Sequence, residues 1–413
     1  MKTVKEAQEI VLKHSAPGKS EEVSIESSLG RILAEDISSN RDHPPYVISA
    51  MDGYALKEAD IKGATKDAPA ILDIVDDIRA GYAPKCAVEK GQASRIMTGA
   101  EVPVGADTVI RVEDTAGSGD KVNILTPPDE GANIRLKGEN LKVGDLVLDV
   151  GTDIGPSEVG ILSMVKRALV PVYRLPSVAI LATGDELEAI DEPFNEKKIP
   201  NANSYSVMAE LQSIGIEPVL LGIARDTKED LNAKLEEALD YDVLIVSGGV
   251  SVGHHDFVRP CLKEMGIEML FWRVALRPGH PFAFGTGKDI KVFALPGNPV
   301  SSMVCTTQFV LPALRKMMGA KKLFRTTFPA RLTKGVKDRL GRLHFMRVRV
   351  ENDGEGFTVT PTGSQGSGIL MSMVQADGLM VVPPEADKLS EGASVTVQSL
   401  HAGEFQEDSG LPD

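Results

Sequence analysis

The rhythm of apolar and polar positions changes several times along this chain, and each change marks an element. Val4, Ala7, Ile10 and Val11 recur at helical spacing, so residues 3–14 predict a short amphipathic helix, and Ile25 to Leu33 predict a second. Pro44-Pro45 then force an extended segment and Asp52-Gly53 signals a turn, as at the entry to a new domain. From about Ala70 to Val143 short apolar runs are separated by Gly, Pro and Asp clusters, the texture of a β-rich module inserted into a domain built from both flanks. A helix is expected from Pro156, with Ser157 and Glu158 in its first turn.

From Ser177 the pattern becomes βα alternation. SVAILATGDEL, EPVLLGIARD, YDVLIVSGGVSVG and KVFALPGNP predict buried strands, while NANSYSVMAELQSIG, TKEDLNAKLEEALD and the long stretch after Asn298 predict helices. Such alternation gives a parallel sheet with helices on both faces and places ligands at the carboxyl ends of the strands. Beyond about Lys322, HFMRVRVENDGEGFTVTPTG and SVTVQSL alternate with period two, which predicts a small all-β C-terminal domain.

Length and composition narrow the class. At 413 residues the chain is too long for one core, and two to four domains are expected. Hydrophobic residues at 42% and charged residues at 25% are those of a globular protein. No apolar run approaches the roughly 20 residues of a membrane span, and Met1 to Glu6 hold no apolar signal region, so the cytoplasm is the expected compartment. A net charge of -14 argues against a general nucleic-acid binder. Cys86, Cys261 and Cys305 lie far apart without a C-x-x-C, so neither a disulfide framework nor structural zinc is expected, and all three read as buried thiols.

Three loops leave the predicted strand ends: Thr183-Gly184-Asp185-Glu186, Ser247 to Asp256, and Pro296-Gly297-Asn298-Pro299. Asn298 before Pro299 has the form of an N-cap and a first-turn proline, which turns the N–H groups of the helix carrying Ser301 outward as an anion site. Gly248, Gly249 and Gly253 let backbone approach a ligand closely, yet no G-K-[ST] and no G-x-G-x-x-G follows, so neither nucleotide fingerprint applies; a purely structural tight turn is the plain alternative. Asp185, Glu186, Asp226 and Asp256 each fall at or just after a strand end. Carboxylates beside a phosphate loop imply an intervening cation, and Mg²⁺ suits oxygen ligands, although Asp226 could equally cap the helix starting near Thr227. Adjacent His254 and His255 point apart and lack a third spaced ligand, which speaks against zinc. Arg273, Arg277 and His280 suit an anionic ligand or a solvated surface alike.

Taken together, SAMDGYA (Ser49–Ala55), RIMTGAEVPVGAD (Arg95–Asp107), ATGDEL (Ala182–Leu187), SGGVSVG (Ser247–Gly253), LPGNPVS (Leu295–Ser301) and QGSG (Gln365–Gly368) resemble, in order, the motifs of the molybdopterin molybdenumtransferase family, the MoeA proteins and the gephyrin E domain. The resemblance implies a multidomain α/β and β fold. Residues 1–45 and 144–176 would form an elongated N-terminal dimerisation domain and 46–143 an inserted β-rich domain; 177–322 would form a three-layer α/β molybdopterin-binding domain similar to the molybdopterin adenylyltransferases, 323–405 a C-terminal β-barrel and 406–413 a tail. It implies an enzyme that inserts molybdate into adenylylated molybdopterin with release of AMP, works as a homodimer with its cleft between subunits, and receives its substrate from a molybdopterin adenylyltransferase.

By the same resemblance the Ser247–Gly253 loop, with Gly248, Gly249 and Ser251, cradles the pterin phosphate beside Gly184, Asp185 and the segment Pro296, Gly297, Asn298, Pro299 and Ser301. Glu186, Asp226 and Asp256 surround Mg²⁺ and phosphate. Asp52, Thr98 and Gly99 reach the cleft from the partner subunit, and Arg277, Arg347 and Ser367 complete the functional set. The plain alternatives are a turn residue for Asp52 and a solvated strand face for Arg347. The chain departs from the family pattern at Asn140, His254 and His280, where an acid, an acid and a lysine are common. Those departures keep open a catalytically weak molybdopterin carrier and a tungstate-inserting variant; a molybdopterin adenylyltransferase is the third reading, disfavoured by the extra domains.

Overall fold

The computed structural model describes residues 1–117, 119–249, 257–287, 289–401 and 405–411. Two compact units are formed, one from residues 1–35, 150–160 and 168–413, the other from 36–149 and 161–167. The smaller unit is built on a six-stranded sheet in the order Thr108–Arg111, Gly53–Leu56, Gln92–Ile96, Ala70–Ile78, Lys121–Ile124, Thr115–Ala116. Leu56, Leu72, Ala93, Ile110, Val122 and Ile124 fill one of its faces, the half-buried alternation that its short apolar runs announce.

In the larger unit the first helix spans Val4–Lys13, opened by a capping box in which Thr3 Oγ1 accepts from the Glu6 amide and Glu6 Oε2 from the Thr3 amide. The second expected helix does not form. Only Ile25–Ser27 make a single 3₁₀ turn, because the backbone beyond it is claimed elsewhere: the Leu33 amide donates to Thr152 O at 3.0 Å and Leu33 O accepts from Gly151 at 2.7 Å.

The central sheet runs Val219–Ala224, Val178–Thr183, Val243–Ser247, Ile290–Leu295, Ala283–Gly287, Glu268–Phe271. Its first four strands are parallel and its last two pairings antiparallel, so that Ala283–Gly287 runs against the other five strands; the sheet is mixed where alternation alone predicted a parallel one. The Ala283 and Ile290 strands form a hairpin whose register runs from Gly287–Ile290 to Ala283–Ala294, too tight a connection for a crossover helix. Helices Ala202–Gln212, Lys228–Ala238 and Val258–Glu264 flank this sheet.

C-terminal to it, Leu343–Asn352, Phe357–Pro361, Thr327–Leu332, Ser394–Ser399 and Gly378–Val382 pair in that order, and the last pairs back with the first, closing a barrel. One continuous core joins these parts: Val4, Val178, Phe282, Phe309, Phe345 and Val381 belong to a single buried cluster.

The long helix after Asn298 contains a π segment, Thr306–Val310, between Pro299–Cys305 and Leu311–Met317. Pro312 has no N–H to return to the carbonyl four residues back. That carbonyl, Gln308 O, accepts from Gln8 Nε2 at 3.2 Å, and Gln308 Nε2 donates to Gln398 Oε1 at 2.5 Å. Gln8 and Gln398 are themselves buried, so first helix, proline-bearing helix and barrel are joined by amide groups within the core, with Gln308 Oε1 alone of the Gln308 amide left without a partner among the described residues.

Cys261 and Cys305 are buried as expected, but Cys86 is exposed; it lies between the Ala70–Ile78 and Gln92–Ile96 strands, in a segment whose neighbours Lys85 and Ala87 are also exposed. No helix among the described residues is long and apolar enough to cross a membrane.

Replacing Gln8 by Leu leaves the Gln308 carbonyl buried without that donor. A loss of about 1–3 kcal/mol is expected in urea unfolding, with the m-value unchanged.

Candidate functional site

The parallel strands set the site. Ala182 stands beside Ser247 and Ser247 beside Leu295, while Thr183 pairs with Ala224. Residues 184–186, 225–226, 248–249 and 296–298 therefore leave the sheet side by side at its carboxyl edge. Apart from the half-buried Lys291 and the outermost strand these strands are fully buried, which leaves their ends no freedom of register.

Gly248 has φ of 93° and Gly249 φ of 64°. A Cβ on Gly248 would lie 2.6 Å from Thr183 O, and one on Gly249 would lie 2.5 Å from Val258 Cγ2, so the turn needs glycine for conformation and for space. The Gly248 amide donates to Leu295 O at 3.1 Å. Ser251, Gly253, His254, His255 and Asp256 lie outside the described residues.

Two loops are held together by a residue that motif reading passed over. Asn203, in the first turn of the Ala202–Gln212 helix, donates from Nδ2 to Ser247 Oγ at 2.9 Å and to Gly297 O at 2.8 Å. The available signal was the doublet Asn201-Ala202-Asn203: Asn201 caps the helix by accepting from the Ser204 amide, which leaves the second asparagine free for another partner.

The acidic side is formed by Asp185, Glu186 and Asp226. Asp226 Oδ2 accepts from the Asp185 amide at 3.4 Å and Asp185 Oδ1 from the Asp226 amide at 3.3 Å, tying the first and second strand-end turns reciprocally. Asp226 is not the helix cap; Thr227 Oγ1 accepts from the Asp230 amide in that role. Asp185 and Glu186 are exposed and Asp226 is half-buried. Among the described residues no cationic side chain pairs with any of the three, and no group of three or more His, Cys, Asp or Glu is gathered tightly enough to enclose a metal.

The basic side comes from the barrel. Arg347 is fully buried, not on a solvated strand face. Its Nε donates to Ser372 Oγ and its Nη2 to Gly366 O, both at 3.2 Å. Nη1 is buried without a partner among the described residues. Burial, and secondarily the neighbouring Arg277 charge, pull the guanidinium down to about 10, so it remains a cation at neutral pH.

The QGSG loop joins this arginine to the Pro296–Asn298 turn. The Gln365 amide group exchanges hydrogen bonds with the backbone of Arg347, accepting from its N–H at 2.9 Å and donating to its carbonyl at 3.1 Å. Ser367 Oγ accepts from Asn298 Nδ2 at 2.9 Å, and Ser367 O from the Val300 amide at 3.1 Å. Asn298 thus occupies the N-cap position without capping by its side chain. Pro296 and Ser301 are buried and Pro299 is half-buried behind the turn.

Arg277, on a two-residue strand beside Leu343 and His344, is held by the buried carboxylate of Asp338, which also accepts from His344 Nδ1 at 2.7 Å. Burial lowers the His344 imidazole below its ordinary value despite Asp338, so Arg277 carries the charge of this pair. His280 has Nδ1 2.9 Å from Val274 O.

Asp52 and Thr98 belong to the smaller unit. Asp52 Oδ1 accepts from the Thr98 amide and from Thr98 Oγ1, both at 2.7 Å, and these bonds, the amide first, hold its carboxyl below the usual range. Gly99 donates to Ser49 O at 2.8 Å. Both Asp52 and Thr98 are exposed.

Known proteins share this architecture along almost the entire chain. Residues 2–165 match the "MoeA N-terminal region (domain I and II)", 179–316 the "Probable molybdopterin binding domain" and 329–400 the "MoeA C-terminal region (domain IV)". A protein of Nostoc sp. named molybdopterin molybdenumtransferase is 35% identical over 403 residues, 95% of this chain and 91% of its own length. One of the same name from Staphylococcus aureus is 34% identical over 400 residues, 95% of this chain and 94% of its own. The crystal structure of the molybdopterin biosynthesis MoeA protein of Pyrococcus horikoshii superposes with a TM-score of 0.83 at 31% identity, covering 97% of this chain and 100% of the other.

Asn203→Ala removes one donor from two loops at once. A stability loss of about 1–2 kcal/mol is expected, together with faster amide hydrogen exchange at Gly248 and Gly297 than in the unaltered chain.

Proposed function

We infer the chemistry of the strand-end site from one premise: the chain belongs to the MoeA family of molybdopterin molybdenumtransferases. It is a transferase that places molybdenum in molybdopterin during molybdenum-cofactor biosynthesis.

The finer reading is as follows. Adenylylated molybdopterin is the first substrate, made by a molybdopterin adenylyltransferase; molybdate is the second, and AMP leaves. The Ser247–Gly253 loop, Gly184 and the Pro296–Ser301 turn receive the pterin phosphate, the glycines letting it approach the backbone closely. Arg347 and Ser367 orient molybdate, with Arg277 adding charge, so that its metal lies against the dithiolene sulfurs; this is catalysis by proximity and needs no protein nucleophile. The observation that carries this reading is the buried Arg347 guanidinium, one of whose donors has no partner among the described residues. A desolvated cation with an unused N–H is matched by an oxyanion.

Asp226 and Glu186, with Asp256, would hold Mg²⁺. Their oxygens are hard donors, and no cationic side chain among the described residues pairs with Glu186 or Asp226. When bound, Mg²⁺ supplies charge neutralisation at the phosphoanhydride. Asp185 and Asp226, locked to each other's amides, keep the acidic side oriented. Asp52 and Thr98 of a second subunit complete the site in a homodimer, and the protein works in the cytoplasm. Residues 1–45 with 144–176 serve dimerisation, 46–143 form the inserted domain, 177–322 bind the pterin and 323–405 form the barrel.

The test is AMP release from adenylylated molybdopterin with Mg²⁺, in the presence of molybdate, tungstate or neither. Molybdate-stimulated release is expected, with Glu186→Ala and Arg347→Met each lowering it by roughly 10²-fold or more. Release stimulated by tungstate alone would reassign the oxyanion. Oxyanion-independent release would sink the assignment of Arg347.

A further inference from the structure

The larger unit contains a second cavity, of about 510 Å³, that shares no residue with the strand-end site. That volume lies within the range of small-molecule pockets. Met303, Leu370 and Met373 supply apolar wall, and Glu210, Thr307 and Arg325 supply the polar groups. Glu210 and Arg325 are the charged residues of its lining.

Glu210 sits two turns along the helix that begins with Ala202. Its Oε2 accepts from Thr307 Oγ1 at 3.1 Å, whereas its Oε1 is buried without a hydrogen-bond partner among the described residues. Burial pushes the carboxyl up to about 8, Arg325 only partly opposing it. The other titratable group beside it, Cys305, is a neutral thiol because burial raises it well above its ordinary value. Near pH 7 Glu210 is therefore a carboxylic acid. With Thr307 donating to Oε2, the proton belongs on Oε1, where it has nothing to donate to. Arg325 is held in place by donating to His401 O at 2.7 Å and by lying over the Phe405 ring.

An unsatisfied acid proton, a fixed cation and apolar walls together select a ligand class. We propose that this cavity binds a small monocarboxylate with an apolar body, whose carboxylate accepts from Glu210 Oε1–H and faces the Arg325 charge. A cationic amphiphile is disfavoured by Arg325, and a neutral alcohol satisfies only the acid. Ionised Glu210 would repel the ligand, so affinity falls as pH rises through about 8. The proposal is independent of the transferase chemistry.

Octanoate is a suitable probe, with octylamine and octanol as controls, titrated calorimetrically into the full chain at pH 6.5 and pH 9. One saturable octanoate site is expected at pH 6.5, weakened about tenfold at pH 9, the factor that one unit beyond the carboxyl's midpoint gives. Glu210→Gln keeps an N–H donor and should retain binding while abolishing the pH dependence. Met373→Trp should fill the cavity and abolish binding, with its melting temperature confirming a folded chain. Absence of saturable octanoate binding at pH 6.5, equal affinity at both pH values in the unaltered chain, stronger binding of octylamine, or octanoate binding that survives in folded Met373→Trp would each overturn the proposal.

Discussion

Strands buried on both faces must satisfy every backbone N–H and C=O inside the sheet, and that requirement governs where chemistry is placed in this protein. Val178–Thr183, Val243–Ser247 and Ile290–Leu295 pair residue for residue until they reach Ala182, Ser247 and Leu295. Only beyond those positions can the chain turn. Three such turns in adjacent strands emerge side by side, and a crossbar from Asn203 joins two of them. The acidic pair Asp185–Asp226 does the same for the outer turn.

The barrel contributes what the sheet lacks. The turns offer N–H groups and carboxylates but no buried cation, and Arg347 arrives from a strand whose other residues serve two different cores. Leu343 and Phe345 pack into the core shared with the sheet, while Met346 and Val348 fill the barrel. Arg347 follows the parity of Leu343 and Phe345 and so faces the sheet side. The QGSG loop fixes it there through backbone-like hydrogen bonds from Gln365.

This explains what was legible beforehand. The βα alternation, the capped first helix and the period-two C-terminal segment are local signals, and they read through to elements of the right type. The Gly248-Gly249 turn was legible for the same reason, since both its conformation and its crowding are local. Arg347 reads as solvent-facing in H-F-M-R-V-R-V because alternation reports a face, not what covers it. Its cover, the sheet-side core, is assembled from Val4 to Val381. Asn203 and Glu210 likewise look like ordinary polar positions on one amphipathic helix. Nothing in their spacing reveals that one meets Gly297 and the other Thr307. The antiparallel edge of the sheet escaped because a hairpin and a βα crossover begin with the same apolar run.

The bond from Gln8 to the carbonyl that Pro312 leaves free has a consequence for the order of assembly. The two residues it joins, Gln8 and Gln308, lie 300 positions apart. At ribosomal speeds of about 5–20 residues per second, the first helix waits on the order of 15–60 s for its partner to be made. Its capping box biases the first turn towards helix, but a helix of 10 residues is marginal alone, and Val4, Ala7 and Val11 have no finished core to enter. The segment synthesised first is thus among the last to be buried, and it seals the larger unit only when the C-terminal third has emerged.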